Sequence, residues 1–217
     1  MSEREIERAT QNVGTMLARR GYVPVVSVGA VGLASGTHGP NGLHALYERE
    51  AECQKEEPKE PKETGETEAT AATGQRGRAL VVRTDKLSAN AAREFAASAL
   101  AQSARVLVIL ASAGPTAPVR LAITELERGG DLTIEAFTLA EMQINILEHE
   151  LQPSFGVLSE TEIRTLLAEH KVKLTQLPRI LASDPCARYL GARRGAVMCI
   201  TRMPPGANEI RTYRVVT

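Results

Sequence analysis

Residues 174–217, LTQLPRILASDPCARYLGARRGAVMCITRMPPGANEIRTYRVVT, decide how the rest of the chain is read, because almost every boundary in them is marked. Asp184-Pro185 sets an N-cap acceptor before a proline at the first helical position, where a missing N–H costs nothing. A short helix is expected from there through Cys186, Ala187, Arg188 and Tyr189 to Leu190. Gly191 is placed to take the left-handed conformation that ends a helix without a Cβ clash. A basic turn, Ala192-Arg193-Arg194-Gly195, follows. Ala196 to Ile200 is an apolar run too short for a helix and bounded by Gly195 and the Pro204-Pro205-Gly206 turn, so it reads as a buried strand. Ile210 to Val216 is the return strand. Its alternation sets Ile210, Thr212, Arg214 and Val216 on a mixed outer face and Arg211, Tyr213 and Val215 on a more apolar inner one.

Charge is uneven. The whole chain is neutral, with 26 Lys and Arg against 26 Asp and Glu, yet from Lys171 onward the basic residues outnumber the acidic by nine to two. A locally basic module is either a solvated face or a surface that meets something acidic.

The ordered series Gln176-Leu177-Pro178-Arg179-Ile180, Asp184-Pro185, Ala187-Arg188-Tyr189-Leu190-Gly191, Arg194-Gly195 and Tyr213-Arg214 resembles the C-terminal domain of the fifth common subunit of eukaryotic nuclear RNA polymerases, to which a small subunit of archaeal RNA polymerase is similar. It continues upstream through Asn145-Ile146, His149-Glu150-Leu151 and Pro153 and thins toward the N-terminus. The resemblance implies a fold of α/β and α+β class. It comprises an N-terminal three-layer α/β domain similar to restriction-nuclease folds and a small C-terminal α+β assembly domain. The expected domains are 1–142, jaw-like, and 143–217, for assembly, with the junction near Thr138 to Gln143. A fragment from Gln143 onward is expected to fold alone.

Composition bounds the rest. Hydrophobic residues make up 43% of the chain but aromatics only 3%, with no Trp, so the cores are built from Leu, Val, Ile and Ala. No run of about 18 apolar residues exists and the N-terminus is charged, which leads us to expect an intracellular protein. Cys53, Cys186 and Cys199 form neither an even set nor a Cys-x-x-Cys pair, so disulfides and a zinc site are not indicated.

At the N-terminus, Ser2-x-x-Glu5 reads as a capping box, and Ile6, Val13, Met16 and Leu17 form a helical apolar stripe ending at Gly21. Arg4, Arg8, Arg19 and Arg20 lie off that stripe and are expected to face solvent, or else phosphate. Tyr22 to Val28 reads as a strand confined to an edge by Pro24. The glycine-rich stretch Gly29 to Gly36 has neither P-loop nor dinucleotide-binding spacing and is read as a loop. Glu48 to Glu68 carries nine Glu against four Lys or Arg, with Pro58 and Pro61. Such a segment buries too little to offset its ordering entropy, and about 54–77 is expected to be a disordered acidic insert. Strands are then expected at Ala79–Val82, Arg105–Leu110 and Leu132–Phe137. They alternate with helices at Asn90–Gln102 and Pro118–Arg128, giving a mainly parallel sheet covered on both faces. Thr138-x-x-Glu141 and Ser159-x-x-Glu162 are two further capping boxes, the second opening a helix to His170.

A nuclease would need an Asp and an acidic-x-Lys triplet on adjacent strand ends to hold a metal and steady the attacking hydroxide. Glu57-Pro58-Lys59, Glu60-Pro61-Lys62 and Glu169-His170-Lys171 have the triplet spacing, but none falls in an expected strand, and Glu135 has no Lys two residues on. His149 lies between Glu148 and Glu150 without a second His at ligand spacing, and reads as a partly buried structural residue. Ser112 to Pro118 is a loop into a helix, with Thr116 as its candidate cap. Catalytic residues, metal and cofactor are therefore expected to be none.

The resemblance implies a non-catalytic subunit of a nuclear DNA-directed RNA polymerase. It would bind the largest subunit and neighbouring subunits, and meet downstream duplex DNA through phosphates, with no membrane role. Candidate partner-binding residues are Pro178, Arg179, Arg188, Tyr189, Arg193 and Arg194; Arg188 pairing with Asp184 one turn away is the bland alternative. A variant dedicated to one polymerase, a free-standing nucleic-acid-binding adaptor and a nuclease-like enzyme are the other readings. Zero net charge weighs against the adaptor, since non-specific DNA affinity scales with the phosphates neutralised.

Overall fold

A computed structural model describes residues 3–28, 44–49, 77–203 and 208–217. Gly29 to Gly36, Cys53, the acidic insert with its two Glu-Pro-Lys triplets, the Pro204-Pro205-Gly206 turn and Ser2 of the first capping box lie outside those residues. The described part divides into two compact units, one spanning Gly21–Ala140 and the other joining Met1–Arg20 to Glu141–Thr217. The first helix, expected in the N-terminal domain, is thus grouped with the C-terminal segment.

In the middle unit, strands β1 (Tyr22–Val28), β2 (His44–Arg49), β3 (Gly77–Thr84), β4 (Ala104–Ala111) and β5 (Thr133–Thr138) form one sheet in sequence order. β1 is one of the two edge strands, and its register shifts between Pro24 and Val26 because a proline cannot donate to the ladder. β3–β4 and β4–β5 are parallel, while β1–β2 and β2–β3 are antiparallel, so the sheet is evenly mixed rather than mainly parallel. Parallel neighbours need a crossover, and only after β3 do helices supply one.

Those helices, α2 (Ala89–Ala101) and α3 (Ala117–Glu127), both lie on the face bearing Leu80, Val82, Leu107, Ile109 and Ile134. Successive right-handed crossovers advancing in one direction put them there together. Ala92, Ala96 and Ala99 recur at helical spacing and let α2 sit close to the sheet. The alternate residues Ala79, Val81, Val108 and Leu110 are equally buried, which explains why β3 and β4 read as continuous apolar runs. Ser88 caps α2, its hydroxyl accepting the Ala91 N–H at 3.1 Å. Thr116 occupies the N-cap position of α3, but its side chain makes no capping bond. Glu135 lies in β5 opposite Val108.

The other unit begins with α1 (Glu3–Arg19), which buries Ala9, Val13, Met16 and Leu17. Asn12 Nδ2 donates to the Met142 carbonyl and Gln143 Nε2 to the Glu5 carbonyl, both at 2.7 Å. Thr138 closes β5 instead of opening a helix, and the expected turn is one 3-10 turn at Glu141–Gln143. A second, Ile146–Glu148, is capped by Asn145. Helix α4 (Glu160–His170) has the expected capping box: the Ser159 hydroxyl accepts the Glu162 N–H, and the Glu162 carboxylate accepts the Ser159 N–H at 2.7 Å. The Ser159 N–H and then the Ser159 hydroxyl, which donates to the same carboxylate oxygen at 2.8 Å, lower the pKa of the Glu162 carboxyl.

Strands β6 (Ser154–Val157), β7 (Arg179–Ile180), β8 (Val197–Arg202) and β9 (Ile210–Val216) form a second sheet in the order β6-β8-β9-β7. Helix α5 (Pro185–Leu190) buries Ala187 against Met198 and Val216. The alternation expected of β9 does not hold along its length: Ile210 to Thr212 are exposed on both sides, whereas Val215 and Val216 are both buried. Ile210 and Arg211 pair only with the far end of β8, and β7 flanks β9 only at Val215 and Val216.

Candidate partner interface

The candidate residues are arranged by α5 and by the end of the second sheet. A six-residue helix is too short to persist without help at both ends. At its start Asp184 Oδ1 accepts the Cys186 N–H at 2.9 Å and the Ala187 N–H at 3.4 Å. At its end Gly191, with φ +66°, closes the helix. Arg20 then supplies what sequence reading did not foresee. Its guanidinium donates to the carbonyl of Arg188 at 2.6 Å and of Tyr189 at 3.1 Å. Exposed helix-end carbonyls need donors, and a cation there also meets the negative end of the helix dipole, so Arg20 turns inward rather than toward solvent.

Arg188 pairs with Glu141 at 3.5 Å, not with Asp184, whose carboxylate is already occupied as the cap. Tyr189 is only 2% exposed, which removes its ring from any surface and corrects its place among the contact residues. Burial also raises its phenol pKa, and its hydroxyl has no hydrogen-bond partner among the described residues.

Pro178, Arg179, Arg193 and Arg194 are exposed and brought together by backbone pairing. β7 runs parallel to the end of β9, with the Val215 N–H on the Pro178 carbonyl at 2.8 Å and the Thr217 N–H on the Ile180 carbonyl at 2.9 Å. The turn after α5 folds onto the same place: the Gly195 N–H donates to the Val216 carbonyl, and the Val216 N–H to the Ala196 carbonyl, each at 2.9 Å. Gly195 has φ +89°, which a side chain rarely adopts. Arg214 joins the group, its Nη1 donating to the Arg179 carbonyl at 3.2 Å. Its position among the outward residues of β9 was the available signal.

The remaining titratable residues organise local structure. His149 is exposed rather than partly buried, and its Nδ1 accepts the Leu151 N–H. The His170 and Tyr213 rings lie 6.2 Å apart and tie α4 to β9. Cys186 is buried, which pushes its thiol pKa up. Among the described residues no three His, Cys, Asp or Glu converge on a point that would hold a metal, and no helix is long and apolar enough to cross a membrane.

This arrangement, a capped short helix against a four-stranded sheet with a basic turn after it, defines a small α+β domain, and residues 144–216 match RNA polymerase Rpb5, C-terminal domain. That segment belongs to the Rpb5 family. The chain is 46% identical over 99 residues to DNA-directed RNA polymerase subunit 5-like protein 1 of Arabidopsis thaliana, a stretch covering 46% of each chain. It is 48% identical over 83 residues to DNA-directed RNA polymerases I, II, and III subunit RPABC1 of Caenorhabditis elegans, covering 38% of this chain and 39% of that one. With the corresponding subunit of Dictyostelium discoideum it shares 37% identity over 108 residues, 50% of this chain and 55% of the relative. The matches thus span about half or less of each relative's length.

Proposed function

We propose that this protein is a non-catalytic subunit of a nuclear DNA-directed RNA polymerase, in which the C-terminal module docks on the largest subunit. The observation that carries the reading is the family match of residues 144–216, a segment whose two α-helices are both capped by side chains. The three relatives described above are named as polymerase subunits, two of them as subunits of polymerases I, II and III and one as a subunit 5-like protein. The middle α/β unit is assigned to the jaw beside incoming duplex, where contacts to phosphates would be independent of sequence. Docking rests on the exposed end of the second sheet, with Pro178, Arg179, Arg193 and Arg194, while Arg188 and Tyr189 support it from within.

Affinity purification of the tagged protein from nuclear extract, with identification of the largest subunits that accompany it, tests this. Recovery of one or more polymerase largest subunits in stoichiometric amount is expected; a single one identifies a dedicated variant and several a shared subunit. Recovery of none overturns the assignment.

A further inference from the structure

The end of the second sheet holds positive charge that no acidic side chain among the described residues neutralises. From Lys171 onward the acidic residues are Asp184 and Glu209 alone. Asp184 is committed to the N-terminus of α5, and Glu209 to Arg211 in the hairpin. Among the described residues Arg179, Arg194 and Arg214 form no ion pair, although β7, the basic turn and β9 bring them to one end of the sheet. Like charges so placed repel one another until carboxylates or phosphates arrive, and a guanidinium matches either in a forked pair of hydrogen bonds.

Two further observations choose between those anions and between modes of binding. The outward carbonyls of β7 are filled: Arg179 takes the Arg214 guanidinium, and Leu181 takes the Asp184 N–H at 3.0 Å. With these carbonyls engaged, recognition is left to the side chains. Beside the arginines, Leu181 is 65% exposed and Pro178 is exposed as well. A nucleic-acid backbone has nothing apolar to set against them, whereas a peptide has.

We propose that Arg179, Arg194 and Arg214, with Leu181 and Pro178, form the recognition surface for an acidic peptide segment that carries an apolar side chain. This rests on the reading of the module as a docking unit and names the chemistry of its partner. Carboxylates take the guanidiniums and the apolar side chain covers Leu181.

The test uses the full chain and two probes: a short fluorescein-labelled peptide of Asp and Glu with one central Leu, and a labelled DNA duplex. Variants are Arg179→Ala with Arg194→Ala, and separately Leu181→Ser, each checked for an unchanged circular dichroism spectrum. The peptide is expected to bind more tightly than the duplex. The arginine pair should weaken it about tenfold or more, and Leu181→Ser should weaken it without changing its salt dependence. Tighter binding of the duplex, lost in the arginine variant, would replace the proposal with a phosphate-binding surface. Unchanged peptide affinity in both variants would refute it outright. Either result is separable from failure of the polymerase assignment, which is read only from what accompanies the wild-type protein out of nuclear extract.

Discussion

Replacing Gly191 by Ala separates two costs that meet at one atom. With φ at +66°, an alanine there carries left-handed backbone strain of about 1–2 kcal/mol. Its Cβ would also stand 3.0 Å from Arg20 Cζ and 3.1 Å from Nε and Nη1, tight enough that the guanidinium must give way by a few tenths of an ångström. That shift strains the guanidinium's bonds to the Arg188 and Tyr189 carbonyls, and a bond from a charged donor is worth about 1.5–3 kcal/mol. Arg20 is half-buried, so the lower part of that range applies and the total is about 2–4 kcal/mol. Gly195 is the internal control, because its φ is +89° but an added Cβ meets nothing within 4 Å; Gly195→Ala should cost the strain alone, about 1–2 kcal/mol. Urea unfolding followed by far-ultraviolet circular dichroism, with hydrogen exchange at the α5 amides as the local readout, measures both. The decisive comparison is Gly191→Ala made in wild type and in Arg20→Ala, where the cost should fall to that of Gly195→Ala. A coupling energy of about 1–2 kcal/mol is expected, and one indistinguishable from zero would refute the idea that Arg20 and Gly191 form a single closure of α5.

Two other expectations follow from the same unit. Ser159→Ala should destabilise α4 by about 1 kcal/mol in thermal unfolding. Glu162 has a folded pKa below its unfolded value, so its stabilisation is fully present above the unfolded value and disappears as pH falls through the folded one. Glu162→Gln, which keeps the cap geometry but cannot ionise, should flatten the acid limb of the stability profile; an unchanged limb would show that the box does not contribute to it. Deleting residues 1–20 removes the side-chain donors to the carbonyls of Met142 and Tyr189, each worth about 1–3 kcal/mol if left without a donor, and leaves the Arg188 carbonyl only the Gly191 N–H. A fragment spanning 141–217 should thus unfold at lower urea than the same fragment given a synthetic 3–20 peptide, and equal midpoints would show that α1 is dispensable.

Local chemistry made much of this fold legible. Asp184-Pro185 with Gly191, Ser159 with Glu162, and Pro24 in an edge strand each carry their structural meaning within a few residues, and each appears as read. β6 and β7 were not foreseen, since strands of four and two residues are too short for periodicity and exist only because β8 and β9 offer edges to pair with. The placement of Arg20, the Arg188–Glu141 pair and the burial of Tyr189 depend on residues far apart in sequence, which no local pattern encodes. For the candidate interface the sequence pointed to the basic turn after α5 and to Pro178-Arg179, while the register of β7 against β9 was needed to add Arg214 and Leu181.

Because α1 packs with the last third of the chain, the middle α/β unit is a guest inserted into a host that begins before it and resumes after it. If the guest melts, the host must close a long flexible loop to keep its first helix. Each doubling of such a loop costs roughly 0.6 kcal/mol, a slow enough rise that the guest can lengthen or change sequence without unseating the host. The match to RNA polymerase Rpb5, C-terminal domain falls on the host alone, at 144–216. A guest so placed is a cassette: swapping it for one from a relative, spliced at Gly21 and Ala140, should leave the fold of the host intact.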